Sequence, residues 1–256
     1  MKLIFDSHAH YDDSRFDTDR DELLKSMLSN NVNTIINCGI DIENSKVCIE
    51  LSKKYKRIYC ALGVHPSEAG SVSNEFILEL ENMFKYEKAV AIGEIGLDYH
   101  YNFSEKDKQL DVFEKQIDLS KKINKPIIVH DREAHQDTLS LLKEYKPKGV
   151  VHCFSGSVEM AQEIIKLDML IGIGGAVTFK NAKKIIDVVK YIPIDKILLE
   201  TDAPYMTPEP FRGKRCNSNH IFNTAQKISE IKEIDVNEIL NVTSENSCKL
   251  FSVKQE

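Results

Sequence analysis

Eight short apolar runs rich in β-branched residues alternate with charged stretches of helical period along this chain, the pattern of strands and helices taken strictly in turn. The runs are Leu3–Asp6, Thr34–Cys38, Ile58–Val64, Ala89–Ile95, Pro126–His130, Gly149–Phe154, Leu170–Ile173 and Ile197–Asp202. Helical candidates between them include Thr18–Asn30, Glu43–Tyr55, Asn74–Phe84, Glu105–Lys122, Arg132–Glu144, Val158–Lys166 and Ala182–Lys190; Ile221–Lys232 and Val236–Phe251 follow the last run. Ser104 and Thr18 stand where helix N-caps are expected, and Pro126 opens its strand, where a missing N–H costs least. This many strand-then-helix units in 256 residues predict an α/β fold, a single-domain (β/α)8 TIM barrel over residues 1–256. An open doubly wound sheet is disfavoured, because no glycine-rich phosphate turn follows the first strand.

Composition narrows the class. The net charge of −6 argues against a broad electrostatic nucleic-acid binder, although bound cations and a local basic patch can supply a positive field. Cysteines at 38, 48, 60, 153, 216 and 248 form no C-x-x-C pair, so they read as reduced thiols, mostly packing residues. The opening MKLIFDSHAH turns polar after three apolar residues, and no run of 18 apolar residues follows. A cytoplasmic protein with no membrane attachment and no obligate protein partner is the expectation.

Function in such a barrel collects at the C-terminal strand ends. His8 and His10 stand there after the first run, His65 after the third, Glu94 at the fourth, His130 at the fifth, His152 at the sixth and Asp202 at the eighth. Residues two apart share one face of a strand, which sends Asp6, His8 and His10, and likewise Glu200 and Asp202, to one side. A lone H-x-H is a weak signal, and a single strand-end histidine is more often structural. Joint placement at several strand ends is what a structural reading does not produce. Clustered imidazoles and carboxylates suit divalent transition metals.

The segments DSHAHYDD, ALGVHP, AIGEIGLDYH, KPIIVHDREA, VVHCFSG, GIGGAVTFKNA, LLETDAPYMTP and FRGKRC run the length of the chain. In that order they resemble the TatD-type metal-dependent deoxyribonucleases, a branch of the amidohydrolase-like metal-dependent hydrolases. The resemblance implies a site for two divalent cations, with zinc, manganese, magnesium, nickel and iron all open. His8, His10 and Asp202 would hold one, His130 and His152 the other, and Glu94 would bridge them. His65 would lie near the scissile phosphate. The resemblance also implies DNA as substrate, single-stranded or frayed at its ends, cut from 3′ to 5′.

Phosphodiester hydrolysis needs hydroxide at neutral pH and compensation for charge on the phosphate and leaving oxygens. Two cations roughly 3.5–4 Å apart supply both. Asp202 can orient water and accept its proton. His65 can either bond a nonbridging oxygen or protonate the leaving group. Asp6 and Glu200 are candidates to accept a ligand histidine's other N–H, or else to plug the barrel. Asp98 would brace its loop, Tyr99 would pack, and Asp12 and Asp13 read as loop or capping acids.

After the eighth run, Arg212, Lys214 and Arg215 are candidate phosphate binders, with Arg212 and Arg215 favoured by their guanidinium forks. Cys216, Asn217 and Ser218 depart there from the family pattern. Lys180 at a helix start and Phe179 as a base-stacking ring are further candidates. The same donor set also suits an amide or ester hydrolase, such as an aminoacyl-tRNA deacylase or a small-molecule amidohydrolase.

Overall fold

Eight parallel strands pair in chain order: β1 (Ile4–Ala9), β2 (Val32–Cys38), β3 (Ile58–Leu62), β4 (Ala89–Asp98), β5 (Ile127–Arg132), β6 (Gly149–Val151), β7 (Leu170–Ile173) and β8 (Ile197–Leu199). The structure, a computed structural model, describes residues 4–101 and 103–254; Leu3, the expected start of the first strand, lies outside them. Helices fill the connections: α1 (Arg20–Ser29), α2 (Ile42–Lys54), α3 (Phe76–Met83), α4 (Lys106–Ile123), α5 (His135–Tyr145), α6 (Val158–Lys166) and α7 (Lys183–Tyr191), with α8 (Ile221–Lys232) and α9 (Val236–Phe251) after β8. The ring closes just beyond β1 and β8. Ala9 bridges Ala203, the His10 amide donates to the Ala203 carbonyl at 2.7 Å, and the Asp202 amide donates to the His8 carbonyl at 3.0 Å. Closure therefore sets His8, His10 and Asp202 side by side.

Two apolar layers hold the barrel. Leu24 and Met27 of α1, Leu80 of α3, Phe113 and Ile117 of α4 and Ile228 of α8 belong to the layer between helices and strands. Phe5, Ile36, Ala61, Ile128, Val150 and Leu198 belong to the barrel interior, where Phe251 of α9 plugs the bottom against Phe5 with ring centroids 6.1 Å apart. Full burial of one such side chain is worth roughly 1.5–3 kcal/mol, so these two layers are the main source of the stability beneath the strand ends.

With Phe5 facing inward, unbroken alternation would turn His8 outward. The β1–β2 ladder slips between Asp6 and Ala9, and this irregularity breaks the alternation. Asp6, expected on the same face as His8, is directed elsewhere, as described below.

Several boundaries differ from the sequence expectation. β4 runs on to Asp98 and β5 to Arg132, while β3, β6 and β8 stop short, leaving His65, His152, Glu200 and Asp202 in the loops that follow. Gly96 lets β4 continue: its φ is +144°, and a Cβ there would stand 2.0 Å from the His130 carbonyl oxygen. The expected caps also differ. Ser104 bonds the Gly70 amide (2.9 Å) and the Ser67 carbonyl (2.8 Å), so it stitches two loops together. Thr18 caps nothing, because α1 begins at Arg20 behind Asp19. α7 likewise begins at Lys183, so Lys180 precedes the helix instead of opening it.

Candidate metal centre

Glu94 sits within β4, buried, and directs its two carboxylate oxygens to two separate groups of side chains. Its Oε2 lies 3.3 Å from His8 Nε2 and 3.5 Å from His10 Nε2, and those two nitrogens are 3.0 Å apart. Asp202 Oδ1 joins this group at 3.7 Å from His8 Nε2 and 3.5 Å from His10 Nε2. Oε1 lies 2.6 Å from His130 Nδ1 and 2.7 Å from His152 Nε2, nitrogens that are 3.4 Å apart. His65 Nε2 stands 3.7 Å from the same oxygen. Donors about 2.1 Å from one cation are separated by roughly 3–3.4 Å; the first group spans 3.0–3.7 Å around that spacing, while the second, at 2.6–3.4 Å, is drawn tighter by contacts of hydrogen-bond length to Glu94. His8, His10 and Glu94 form one set of potential ligand atoms, and His65, Glu94 and His130 another.

Against the effect of burial, the neighbouring carboxylates raise the pKa of His10, His130 and His152, so a metal must displace protons from those rings, whereas the other groups already stand in their ligating forms. Burial opposes charge on Glu94, but the surrounding imidazoles, His152 foremost, outweigh it and hold the carboxyl well below its usual range. Asp202 is held low in the same way, burial being overcome chiefly by His10. Burial pushes His8 down to about 4 and His65 to about 3, so both rings are neutral at pH 7. A neutral ring offers a lone pair; a carboxylate offers charge. The two together are a hard-to-borderline donor set for a divalent transition metal.

Outer partners orient these rings. His10 Nδ1 lies 2.9 Å from the Cys38 carbonyl oxygen, and His8 Nδ1 lies 3.4 Å from the Cys38 Sγ. A carbonyl only accepts, so His10 carries its hydrogen on Nδ1 towards Cys38 and turns Nε2 to the site. Asp98 Oδ2 lies 3.3 Å from His130 Nε2, which leaves Nδ1 for the site. Its Oδ1 accepts from the His100 and Tyr101 amides, so the expected loop brace also touches a candidate ligand. Tyr99 donates its hydroxyl to Asp137 at 2.8 Å. Cys38 read as a packing residue in the sequence; no local pattern distinguishes a thiol that packs from one that faces an imidazole.

Asp6 does not reach a ring nitrogen. Its carboxylate accepts from the Thr201 amide (3.0 Å), the Thr201 hydroxyl (2.7 Å), the Ser218 hydroxyl (2.7 Å) and the His8 amide (3.3 Å), while burial raises its pKa to about 6. It clasps β1 to the segments after β8. Ser218, within the departure from the family pattern, also meets the Tyr11 hydroxyl at 2.7 Å. Glu200 Oε1 accepts from the Cys153 amide and stands 3.8 Å from His152 Nδ1; burial raises its pKa to about 7. Gly172 leaves room for it, since a Cβ there would lie 2.4 Å from Glu200 Oε2.

The basic loop divides. Arg215, expected at a phosphate, is instead taken up by Asp19 through paired contacts of 2.8 and 2.5 Å and by the Arg15 carbonyl, with its guanidinium 4.6 Å from the Phe16 ring centroid. That bidentate pair pins the loop to the start of α1. Arg212 stays exposed and lies over the Phe179 ring at 3.8 Å, and Lys214 is exposed as well. Asp13 pairs with Arg15, and Asp12 accepts from the side-chain amides of Asn37 and Asn44.

The model of the TatD related DNase family matches residues 5–252. The chain belongs to the TatD family of metal-dependent hydrolases. It is 42% identical over 254 residues to the metal-dependent hydrolase YabD of Bacillus subtilis, covering 98% of this chain and 100% of YabD. The crystal structure of YjjV, a TatD homologue from Escherichia coli, superposes with a TM-score of 0.92 at 30% identity over 99% of both chains. A TatD-family hydrolase from Entamoeba histolytica does so with a TM-score of 0.86 at 26% identity over 98% of both. The TatD barrel of this chain is thus shared from end to end.

Proposed function

We propose that this TatD protein is a deoxyribonuclease that removes nucleotides from the 3′ end of single-stranded or frayed DNA, using two divalent cations held at its barrel mouth. The observation that carries the reading is the division of Glu94, one oxygen to His8 and His10 and the other to His130 and His152. His8, His10 and Asp202 would hold one cation, His130 and His152 the other, with Glu94 between them. Zinc, manganese, magnesium, nickel and iron all accept such donors. When bound, the pair acidifies water at neutral pH and compensates charge on the phosphate and leaving oxygens.

Asp202 is the proton acceptor in this account. Its side chain is 21% exposed, against 5% for Glu94 and 0% for His8, so it is the carboxylate nearest to incoming water. Ionised and oriented by His10, it takes the proton of the attacking water. His65 acts by donating. Its Nδ1 accepts the Ser67 amide at 3.1 Å, so a neutral ring carries its hydrogen on Nε2, facing Glu94 and the site. Because burial keeps this ring neutral, it bonds a nonbridging phosphate oxygen in preference to protonating the leaving group. Exposed Arg212 supplies a phosphate contact at the rim. A barrel mouth admits a chain end more readily than a continuous duplex.

Six free cysteines fit the reducing cytoplasm, and among the described residues no helix is long and apolar enough to cross a membrane. The reading is tested by stripping the protein, reloading it with each metal, and following mononucleotide release from a labelled single strand. Restored release from the 3′ end supports it. Hydrolysis of an aminoacyl ester with no cleavage of DNA under any metal overturns it.

A further inference from the structure

The ends of β4 and β5 carry a second constellation that the metal centre does not use. β5 continues two residues past His130 to Arg132, which shares its strand face. The Arg132 guanidinium lies over the Tyr101 ring, 4.4 Å from its centroid. Tyr101 in turn stacks with Phe103, centroids 5.4 Å apart and planes at 21°, and meets His100 edge-on at 4.8 Å. Tyr101 is 52% exposed and Phe103 71%, so two large rings are held out in water. Among the described residues no carboxylate lies within ion-pair distance of Arg132, whereas Arg15 over Tyr205 is already neutralised by Asp13.

This platform is fixed to the metal centre. Asp98 holds the His100 and Tyr101 amides through Oδ1 (2.9 and 3.1 Å) and faces His130 Nε2 through Oδ2. Gln109 of α4 clamps both Asp98 backbone groups (2.8 and 3.0 Å) and the Ser104 carbonyl (2.8 Å), which ties Asp98 and Ser104 to one side chain. An unpaired cation beside exposed, stacked rings matches a ligand that joins an anion to a flat π-system.

We propose that Arg132, Tyr101 and Phe103 form a nucleotide subsite, in which an unpaired base stacks on the exposed rings and Arg132 takes its phosphate. The inference rests on the nuclease reading and adds a requirement to it: the substrate must present a free base face beside the metal centre, which a paired base does not.

The test compares two single strands that differ only in whether their three 3′-terminal nucleotides carry bases or are abasic. The wild-type, metal-loaded protein shows a lower KM on the base-bearing strand. The Tyr101→Ala, Phe103→Ala double variant raises that KM about 5- to 150-fold, the span that stacking of one base gives, with kcat within about twofold and the abasic strand unaffected. Tyr101→Phe retains the wild-type KM, and Arg132→Ala raises KM on both strands. Fluorescence anisotropy of the labelled strands on metal-free protein shows the same discrimination, and circular dichroism with metal content establishes that the variants fold. Equal KM on the two strands in the wild-type protein, or an equal rise on both in the double variant, overturns the subsite and leaves the nuclease reading standing. Failure to cut either strand under any metal removes the nuclease reading, and the subsite with it.

Discussion

His10 and Cys38 are joined at 2.9 Å through the ring Nδ1 and the main-chain carbonyl, while the Cys38 thiol faces His8 Nδ1 at 3.4 Å. One residue at the end of β2 therefore sets two candidate ligands. Burial keeps that thiol protonated, so it serves as a weak partner and not as a thiolate ligand. Cys38→Ala removes the contact to His8 and leaves the carbonyl in place. We expect about a tenfold loss of affinity for one metal equivalent, measured by titration calorimetry, with the second equivalent unchanged. An equal loss at both equivalents would mean that the substitution disturbs the whole mouth.

Arg215 and Arg212 separate by partner. Arg215→Ala breaks a part-exposed bidentate pair with Asp19, discounted for solvent screening to about 1 kcal/mol or less. Thermal melting should shift by about 2–4 °C at most, with KM for DNA unchanged. Arg212→Ala should leave the melting temperature in place and raise KM. The reverse pattern would restore Arg215 as the phosphate contact.

Metal loading should release protons. Burial disfavours charge on His130, yet the Asp98 and Glu94 carboxylates outweigh it and raise its pKa to about 9. The folded value lies above the ordinary 6.5, so this stabilisation of metal-free protein is fully present below 6.5 and is lost as pH rises through about 9. The melting temperature of metal-free protein should therefore fall across that window. At pH 7.5, calorimetry in buffers of different ionisation enthalpy should show at least one proton released on metal binding. Proton-neutral binding would contradict the assignment of His130 as a ligand.

Gly96→Ala should cost about 1–3 kcal/mol or more, because it combines an unfavourable φ with a clash against the His130 carbonyl. Chemical denaturation measures this. A neutral effect would show that β4 and β5 can separate without disturbing His130.

His8, His10, Glu94, His130, His152 and Asp202 were legible as one cluster because an alternating strand–helix pattern locates strand ends, and strand ends meet at one mouth. The slip in β1 was not legible, since register depends on the neighbouring strand, and it parted Asp6 from the rings it was expected to support. His152 and Asp202 lie beyond their strands because β6 and β8 are each three residues long; Asp202 takes a left-handed φ of 58° there, outside any two-residue alternation. Arg132 read as the first residue of a helix, although β5 claims it through pairing with Asp98, a contact distant in sequence. Arg215 carried the same basic signal as Arg212, and only the fold brings Asp19 to it.

The central claim is that Glu94 joins two cations, and metal stoichiometry tests it most directly. Metal-free wild-type protein titrated with zinc or manganese should take up two equivalents per chain, and Glu94→Ala should lose tight binding of both while Asp202→Asn loses the tight binding of one. A single equivalent in the wild-type protein, retained at full affinity by Glu94→Ala, would contradict the account.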